Sequence, residues 1–153
     1  MGLRGPVLRG WAVILEVSVL PADPFRLKLK GIGPEGRQYR KHFLDLKGLG
    51  VRDLCVDGDD LLVLAGPTMN LDGPAAVFRW RGALESSDEQ LIFSDGLERV
   101  FEVPHGTGHD HAEGMALVTD PKRLLIVYDS PSKERKVGDR AVIADVFELP
   151  EEG

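Results

Sequence analysis

The chain has little of what a disulfide-rich, membrane-spanning or nucleic-acid-binding protein requires. Its 153 residues contain one cysteine, Cys55, so no internal disulfide can form. No apolar run is long enough to span a bilayer, because the best candidate, Trp11 to Leu20, is short and contains Glu16. That run also lacks a small-residue cleavage site, which favours the cytoplasm for the chain as given. A net charge of -6 argues against a nucleic-acid partner, since such partners are held mainly by Lys and Arg.

The sequence also lacks a complete catalytic motif and a long amphipathic helix. It contains neither a serine nucleophile elbow nor a Walker-type glycine loop. The hydrophobic content of 42% and the charged content of 29% suit one packed soluble domain. We therefore predict a single all-β domain over residues 1–153, and no enzyme class follows from motifs alone.

What the chain does contain is the same pattern twice. VRDLCVDGDDLLVLAGP, starting at Val51, returns as AEGMALVTDPKRLLIVYDSP, starting at Ala112. Each copy is an apolar run, a tight polar turn and a second apolar run, and the spacing of roughly 60 residues is close to one four-stranded propeller blade with generous loops. Three connections in the chain each run from a Pro-containing turn through a polar loop into a strand, and this shared order supports the repeat. The expected fold is a partial β-propeller of antiparallel four-stranded blade-like repeats.

Alternation of apolar and polar residues between Gly, Pro and Asp turns predicts nine strands. They are Trp11 to Leu20, Tyr39 to Leu46, Val51 to Asp57, Leu61 to Ala65, Ala75 to Trp80, Glu98 to Val103, Glu113 to Val118, Leu124 to Tyr128 and Ala141 to Leu149. Phe25 to Lys30 and Leu91 to Phe93 are not assigned. The chain begins as if part of its first unit were missing, which leaves about two and a half blades. Open edges favour a homo-oligomer or pairing with missing N-terminal blades.

Strand direction sorts the polar residues onto two ends. In an up-and-down sheet, alternate connections lie on the same end, so the loops that enter the inner strands share an end with the Pro-containing loops. This end collects Arg4, Arg9, Arg52, Asp53, Asn70, Asp72, His105, His109, Asp110, His111, Glu113, Asp129 and Lys133. The DGDD and TDPKR turns lie at the other end and show ordinary turn chemistry. The run from Lys133 to Lys136 indicates a solvated loop tip.

A divalent-metal site is one hypothesis for this end. His109, His111 and Glu113 alternate, so in an extended segment all three side chains project to one side. Imidazole and carboxylate together suit zinc or a related ion, and Asp129 or Asp53 would complete the set. The alternative is a polar loop in which the histidines bond to backbone and Glu113 pairs with an arginine.

Anion binding or acid–base chemistry is the other hypothesis. Arg52 and Glu113 occupy matching places in the two repeats, where they either form an ion pair or both face a ligand. Glu113, Asp53 and Asp129 are the candidate catalytic carboxylates, and a desolvated Glu113 would serve as a general acid or base. An anionic group such as phosphate or carboxylate would suit Arg4, Arg9 and Arg52. The alternatives are that these arginines are solvated in loops or stack on Trp11 or Trp80.

Several stretches resemble a known family. LRGPVLRGWAVILE, YRKHFLDL, GLGVRDL, DGDDLLVLAGPTMNLDGP, HDHAEGMAL and LLIVYDSP resemble a bacterial family, domain of unknown function three-six-one-six, whose members look like β-propellers. The resemblance covers nearly the whole chain and implies that it corresponds to the C-terminal part of such a protein, without an earlier Glu-Gly strand. An Ala-Glu-Gly at the start of an inner strand is similar to phytase-like and lactonase-like propellers. The family implies a fold and no reaction.

Two functions follow as hypotheses. The first is a binding or scaffold module that holds a small polar or anionic ligand through Arg52, His109, His111, Glu113 and Arg9. The second is a metal-dependent hydrolase of a phosphoester, lactone or related ester, in which His109, His111 and Glu113 hold the metal and Asp53 or Asp129 orients the water. Neither involves nucleic acid or a membrane.

Overall fold

The computed structural model describes residues 1–21, 25–68 and 72–150, and these residues form an all-β structure. The described residues contain three short 3-10 turns, no α-helix, and no helix long and apolar enough to cross a membrane. The strands are β1 Ala12–Glu16, β2 Val19–Leu20, β3 Lys28–Leu29, β4 Arg40–Leu44, β5 Gly50–Asp57, β6 Asp60–Gly66, β7 Ala75–Trp80, β8 Leu91–Ile92, β9 Glu98–Val103, β10 His111–Thr119, β11 Lys122–Asp129, β12 Lys136–Val137, β13 Ala141–Val142 and β14 Asp145–Glu148. The all-β expectation is confirmed.

The central sheet is a four-stranded antiparallel meander in the order β5-β6-β7-β9. Strand β6 carries the continuous apolar run LLVLAG. A run of this kind is typical of a strand that is buried on both faces. Leu62 and Leu64 point to one face of the sheet, and Val63 and Ala65 point to the other, and all four are buried.

Two smaller sheets cover these two faces. The first has the order β1-β4-β8 and contributes Ile14 and Leu44 to the core that contains Val63 and Ala65. The other, which we call the third sheet because it follows the central sheet along the chain, has the order β10-β11-β14 and contributes Leu124 to the core that contains Leu62 and Leu64. The central sheet therefore lies between two apolar cores, with one smaller sheet on each side.

Two hairpin turns appear where the sequence predicts them. Asp57 pairs with Asp60 at the turn from β5 to β6, and Thr119 pairs with Lys122 at the turn from β10 to β11. Each hairpin also carries a bulge near the start of its first strand, between Val51 and Asp53 in β5 and between Ala112 and Gly114 in β10.

Some predicted strands are shorter or differently paired. The run from Trp11 to Leu20 divides into β1 and β2, and the run from Ala141 to Leu149 divides into β13 and β14, because each half pairs with a different strand. The two unassigned segments are placed: β3 pairs with β2, and β8 joins β4 in a parallel orientation. That parallel pair departs from the strict alternation of strand direction expected from the sequence.

Candidate functional site

The two bulges form the site. A bulge inserts one extra residue opposite a single partner residue and so re-aims the inserted side chain. Arg52 is the inserted residue in β5, and Glu113 is the inserted residue in β10. Strand β5 of the central sheet lies beside strand β10 of the third sheet, so the two re-aimed side chains meet.

Arg52 and Glu113 form an ion pair that a second arginine joins. Arg52 Nη1 contacts Glu113 Oε1, and Arg52 Nη2 donates to the carbonyl oxygen of Pro67. Arg4 Nη1 lies 3.2 Å from the same Glu113 oxygen. The Arg52 side chain is 4% exposed, that of Glu113 25% and that of Arg4 48%. One carboxylate thus neutralises a buried guanidinium and touches a half-exposed one.

Burial is the largest influence on the charge of Arg52. It lowers the pKa of the Arg52 guanidinium, because a charged group loses hydration when it is buried, and the Glu113 carboxylate opposes that shift. The positive charge of Arg4 adds to the lowering, and the negative charge of Asp129 opposes it. Arg52 Nε is buried without a hydrogen-bond partner in the part of the chain that is described.

Gly66 makes room for the Arg52 side chain. A Cβ atom at Gly66 would lie 3.1 Å from Arg52 Nε and 3.4 Å from Arg52 Cγ, which is closer than most such contacts. The absence of a side chain at the end of β6 therefore lets the guanidinium lie against the strand and reach Pro67.

Asp53 ties the two inner strands together. Its Oδ1 accepts a hydrogen bond from the amide of Leu54 at 2.8 Å, and its Oδ2 accepts one from the amide of Met115 in β10 at 2.7 Å. Both carboxylate oxygens are therefore engaged with backbone, and the bond to Met115 fixes β10 beside β5. In this arrangement Asp53 positions Arg52 and Glu113 rather than facing solvent.

A narrow crevice adjoins the ion pair. Its lining includes Arg52, Gly66, Pro67, His105 and His111, so the structure brings Arg52 and His111 to one place. His111 Nε2 lies 3.0 Å from Asp72 Oδ1, which also accepts the Gly108 amide at 2.8 Å. The hydrogen bond from the Gly108 amide lowers the pKa of the Asp72 carboxyl, and the one from His111 has the same effect to a smaller extent. Asn70, expected at the same end, lies outside the described residues.

The expected metal set does not come together in this geometry. Asp110 has a φ of 56°, so the segment from His109 to Glu113 is not extended throughout, and the bulge at Glu113 breaks the alternation again. His109 Nδ1 lies 2.7 Å from the Thr107 carbonyl, whereas His111 and Glu113 contact an aspartate and two arginines. Among the described residues, no group of three or more His, Cys, Asp or Glu side chains is placed to hold a metal ion.

Two further predicted residues lie at the margin of the site. Asp129 pairs in register with His111, and its Oδ1 accepts the Ser130 amide at 2.8 Å, so it reaches Arg52 through its charge alone. Arg9 lies in a separate cleft with Trp11 and Phe43, which shares no lining residue with the crevice at Arg52. The structure thus separates Arg9 from the other predicted ligand-binding residues.

Sequence reasoning missed a partly buried polar cluster around Arg135. Arg135, expected on a solvated tip, instead forms two hydrogen bonds with Asp145, at 2.9 and 2.7 Å, and its guanidinium carbon lies 3.9 Å from the centre of the Tyr128 ring. Asp145 also accepts the Tyr128 hydroxyl at 2.7 Å, and Arg135 Nε lies 3.1 Å from Asp110. The partners are distant in sequence, so no local pattern signals the cluster. It anchors the loop after β11 to the third sheet.

Comparison with known proteins gives one match. A family model described as "Protein of unknown function (DUF3616)" matches residues 1–145, which confirms the resemblance found in the sequence. No curated protein and no solved structure matches the chain.

Proposed function

We propose that this chain, which belongs to the DUF3616 family of proteins of unknown function, is a binding module that holds a small anionic ligand of the carboxylate or phosphate class. The ligand would bind at the rim formed by Arg4, Arg52 and Glu113 and extend toward the crevice beside His111. Guanidinium groups suit this role because they donate paired hydrogen bonds to planar or tetrahedral oxyanions.

One observation carries the proposal: two guanidiniums share a single carboxylate oxygen. Glu113 neutralises one of the two positive charges, so these three side chains together carry one positive charge. Arg4 is half-exposed, and its contact with Glu113 uses Nη1; among the described residues, its Nη2 and Nε have no partner and are able to donate to an incoming oxyanion. Arg52 is already held by Pro67 and Glu113, so little side-chain entropy is lost on binding.

We also propose that the three larger sheets are successive blades of a propeller, of which the first and third are incomplete. The support is the four-stranded meander of the central sheet and the bulge that recurs at the same place in two hairpins. In a propeller, equivalent positions of successive inner strands face the same channel mouth. Arg52 and Glu113 would then mark that mouth.

The experiment compares thermal unfolding in sodium phosphate with that in sodium chloride of equal ionic strength. For a dissociation constant near 1 mM, 100 mM ligand adds about 2.7 kcal/mol of stability, or roughly 5–10 °C in Tm for a domain of this size. Phosphate also stabilises proteins without binding to a site. Arg4→Gln identifies the specific part, because it removes the exposed guanidinium and leaves the buried pair.

The matched control is Arg9→Gln, since Arg9 is an exposed arginine in another cleft. We expect the phosphate shift to fall in Arg4→Gln and to persist in Arg9→Gln. Equal shifts in all three proteins would show that phosphate acts only as a general stabiliser and would refute the proposal. Sodium acetate and sodium citrate, tested in the same way, separate carboxylate from phosphate ligands.

The metal-dependent hydrolase is the competing hypothesis. It predicts near-stoichiometric zinc or a related metal in protein purified without chelator, and loss of that metal in His111→Ala. Such a result would replace the anion-binding proposal with a metal site at the same rim.

A further inference from the structure

A second cleft, of about 240 Å³, lies between the first and central sheets. Its lining includes Glu16 and His42 on the first sheet and Leu61 and Trp80 on the central sheet. Leu61 follows the turn that joins β5 to β6, whereas Arg52 contacts Pro67 beyond the far end of β6. This cleft is therefore separate from the anion rim.

His42 is a buried polar residue in a mostly apolar wall. It is 3% exposed, and its ring lies edge-on to Trp80 with 5.2 Å between ring centres. His42 Nε2 lies 3.1 Å from Glu16 Oε2, and Arg40 Nη1 lies 3.0 Å from Glu16 Oε1. In the neutral form of the ring, the proton lies on Nε2, because this nitrogen faces a carboxylate, and Nδ1 is then an acceptor.

That acceptor has no partner within the described ranges. His42 Nδ1 is buried and receives no hydrogen bond from any residue that the structure describes. A buried polar atom without a partner is costly, and the large majority of such atoms in proteins are satisfied by protein, water or ligand. A ligand donor that reached Nδ1 would therefore gain a hydrogen bond that the described residues do not supply.

We propose that this cleft binds a small aromatic molecule that carries a hydroxyl or N–H donor. The Glu16 carboxylate and, in the neutral ring, His42 Nδ1 accept hydrogen bonds, so a ligand that donates suits both groups. Leu61 and Leu84 supply apolar surface, and Trp80 and His42 supply aromatic edges and faces against which a ring packs.

Phenol and anisole are the probes. They share the ring and the oxygen, but anisole has no O–H to donate. Binding is followed by NMR through the His42 ring and the Trp80 indole N–H, with each probe raised to about 20 mM, a range that detects the weak binding of so small a ligand. We expect phenol to shift both signals and anisole to bind about tenfold more weakly, the value of one hydrogen bond.

Two matched variants test the location. Leu84→Ala removes a 54% exposed leucine that lines the cleft, and Leu8→Ala removes a 51% exposed leucine that lines the cleft at Trp11. Phenol affinity should fall at least about threefold in the first variant, because apolar contact area is lost, and stay unchanged in the second.

Three results would overturn the inference. One is the absence of any shift at His42 and Trp80 with phenol. The second is equal affinity for phenol and anisole, which would remove the donor requirement. The third is an equal loss of affinity in both leucine variants, which would place binding elsewhere. None of these depends on the anion rim, because Arg4 and Arg52 are unchanged throughout.

Discussion

Replacing Glu113 by alanine should expose how the buried Arg52 is stabilised. The Arg52 side chain is 4% exposed, and without Glu113 its remaining hydrogen bond is to the Pro67 carbonyl. Removing one member of a buried ion pair typically costs about 3–5 kcal/mol, because the other charge stays buried and unpaired. Glu113 is 25% exposed, so water replaces part of the lost interaction, and we expect a loss of about 2–3 kcal/mol.

The matched change is Arg4→Gln, which removes the exposed guanidinium from the same carboxylate. Because Arg4 is 48% exposed, its ion pair should contribute less than about 1 kcal/mol. The expected order is therefore a large loss of stability for Glu113→Ala and a small one for Arg4→Gln.

Urea unfolding at pH 7 measures both variants. A loss of about 2–3 kcal/mol moves the midpoint by roughly 1 M for a typical urea dependence. The double variant Glu113→Ala with Arg52→Met should recover part of the loss, because it removes the buried charge as well. A loss below about 0.5 kcal/mol in Glu113→Ala, or no recovery in the double variant, would refute the view that Glu113 stabilises Arg52.

Three further substitutions, one of them with a matched control, test separate parts of the structure. Asp53→Asn should lower stability in thermal unfolding by about 1.5–3 kcal/mol, because an amide has one oxygen and cannot accept from both backbone N–H groups as the carboxylate does. Asp129 is exposed, and Asp129→Asn should cost less than about 1 kcal/mol in the same assay. The pKa of Asp145 is lowered by its hydrogen bonds to Arg135. The contribution of this carboxylate to stability is therefore present above pH ~4 and is lost as the pH falls through the lowered pKa. Asp145→Asn should flatten that part of a stability–pH curve. Gly50→Ala should lower stability by about 1–3 kcal/mol and displace the segment at Arg4, because a Cβ atom at residue 50 would collide with the Arg4 carbonyl oxygen. Wild-type stability in Gly50→Ala would contradict the close approach of these two backbone segments.

The hairpins are the part of the fold that the sequence predicts best. The runs VRDLCVDGDDLLVLAG and AEGMALVTDPKRLLIVYD carry both the apolar pattern and the turn residues, so local chemistry alone indicates two strands and the turn between them. The parallel pairing of β8 with β4 involves two residues, Leu91 and Ile92. So short a strand has no pattern of its own, and its pairing depends on the surrounding sheet.

The candidate site was predictable to the extent that it depends on the repeat. Arg52 and Glu113 occupy matching places in the two copies, so the repeat alone predicts that they lie close together. The conformation of Asp110, with a φ of 56°, has no such signal, and it changes the direction of His109 relative to His111. The sequence does not reveal the contact of Arg135, because its partner Asp145 lies ten residues further along the chain, in β14, whereas Arg135 lies in a 3-10 turn.

The bulges explain how a β structure can hold charged groups at such a site. In a regular strand, Arg52 and Glu113 would alternate with apolar neighbours that face the cores. In each bulge the inserted residue instead turns its side chain toward the neighbouring hairpin. Asp53 then fixes the two strands through the Met115 amide. Arg52 and Glu113 are thus held on rigid strands, while Arg4 lies outside the strands with a half-exposed side chain. In the proposed binding mode, an anion would be recognised by the Arg4 side chain together with a preorganised pair, and the entropy of ordering that side chain would limit the affinity.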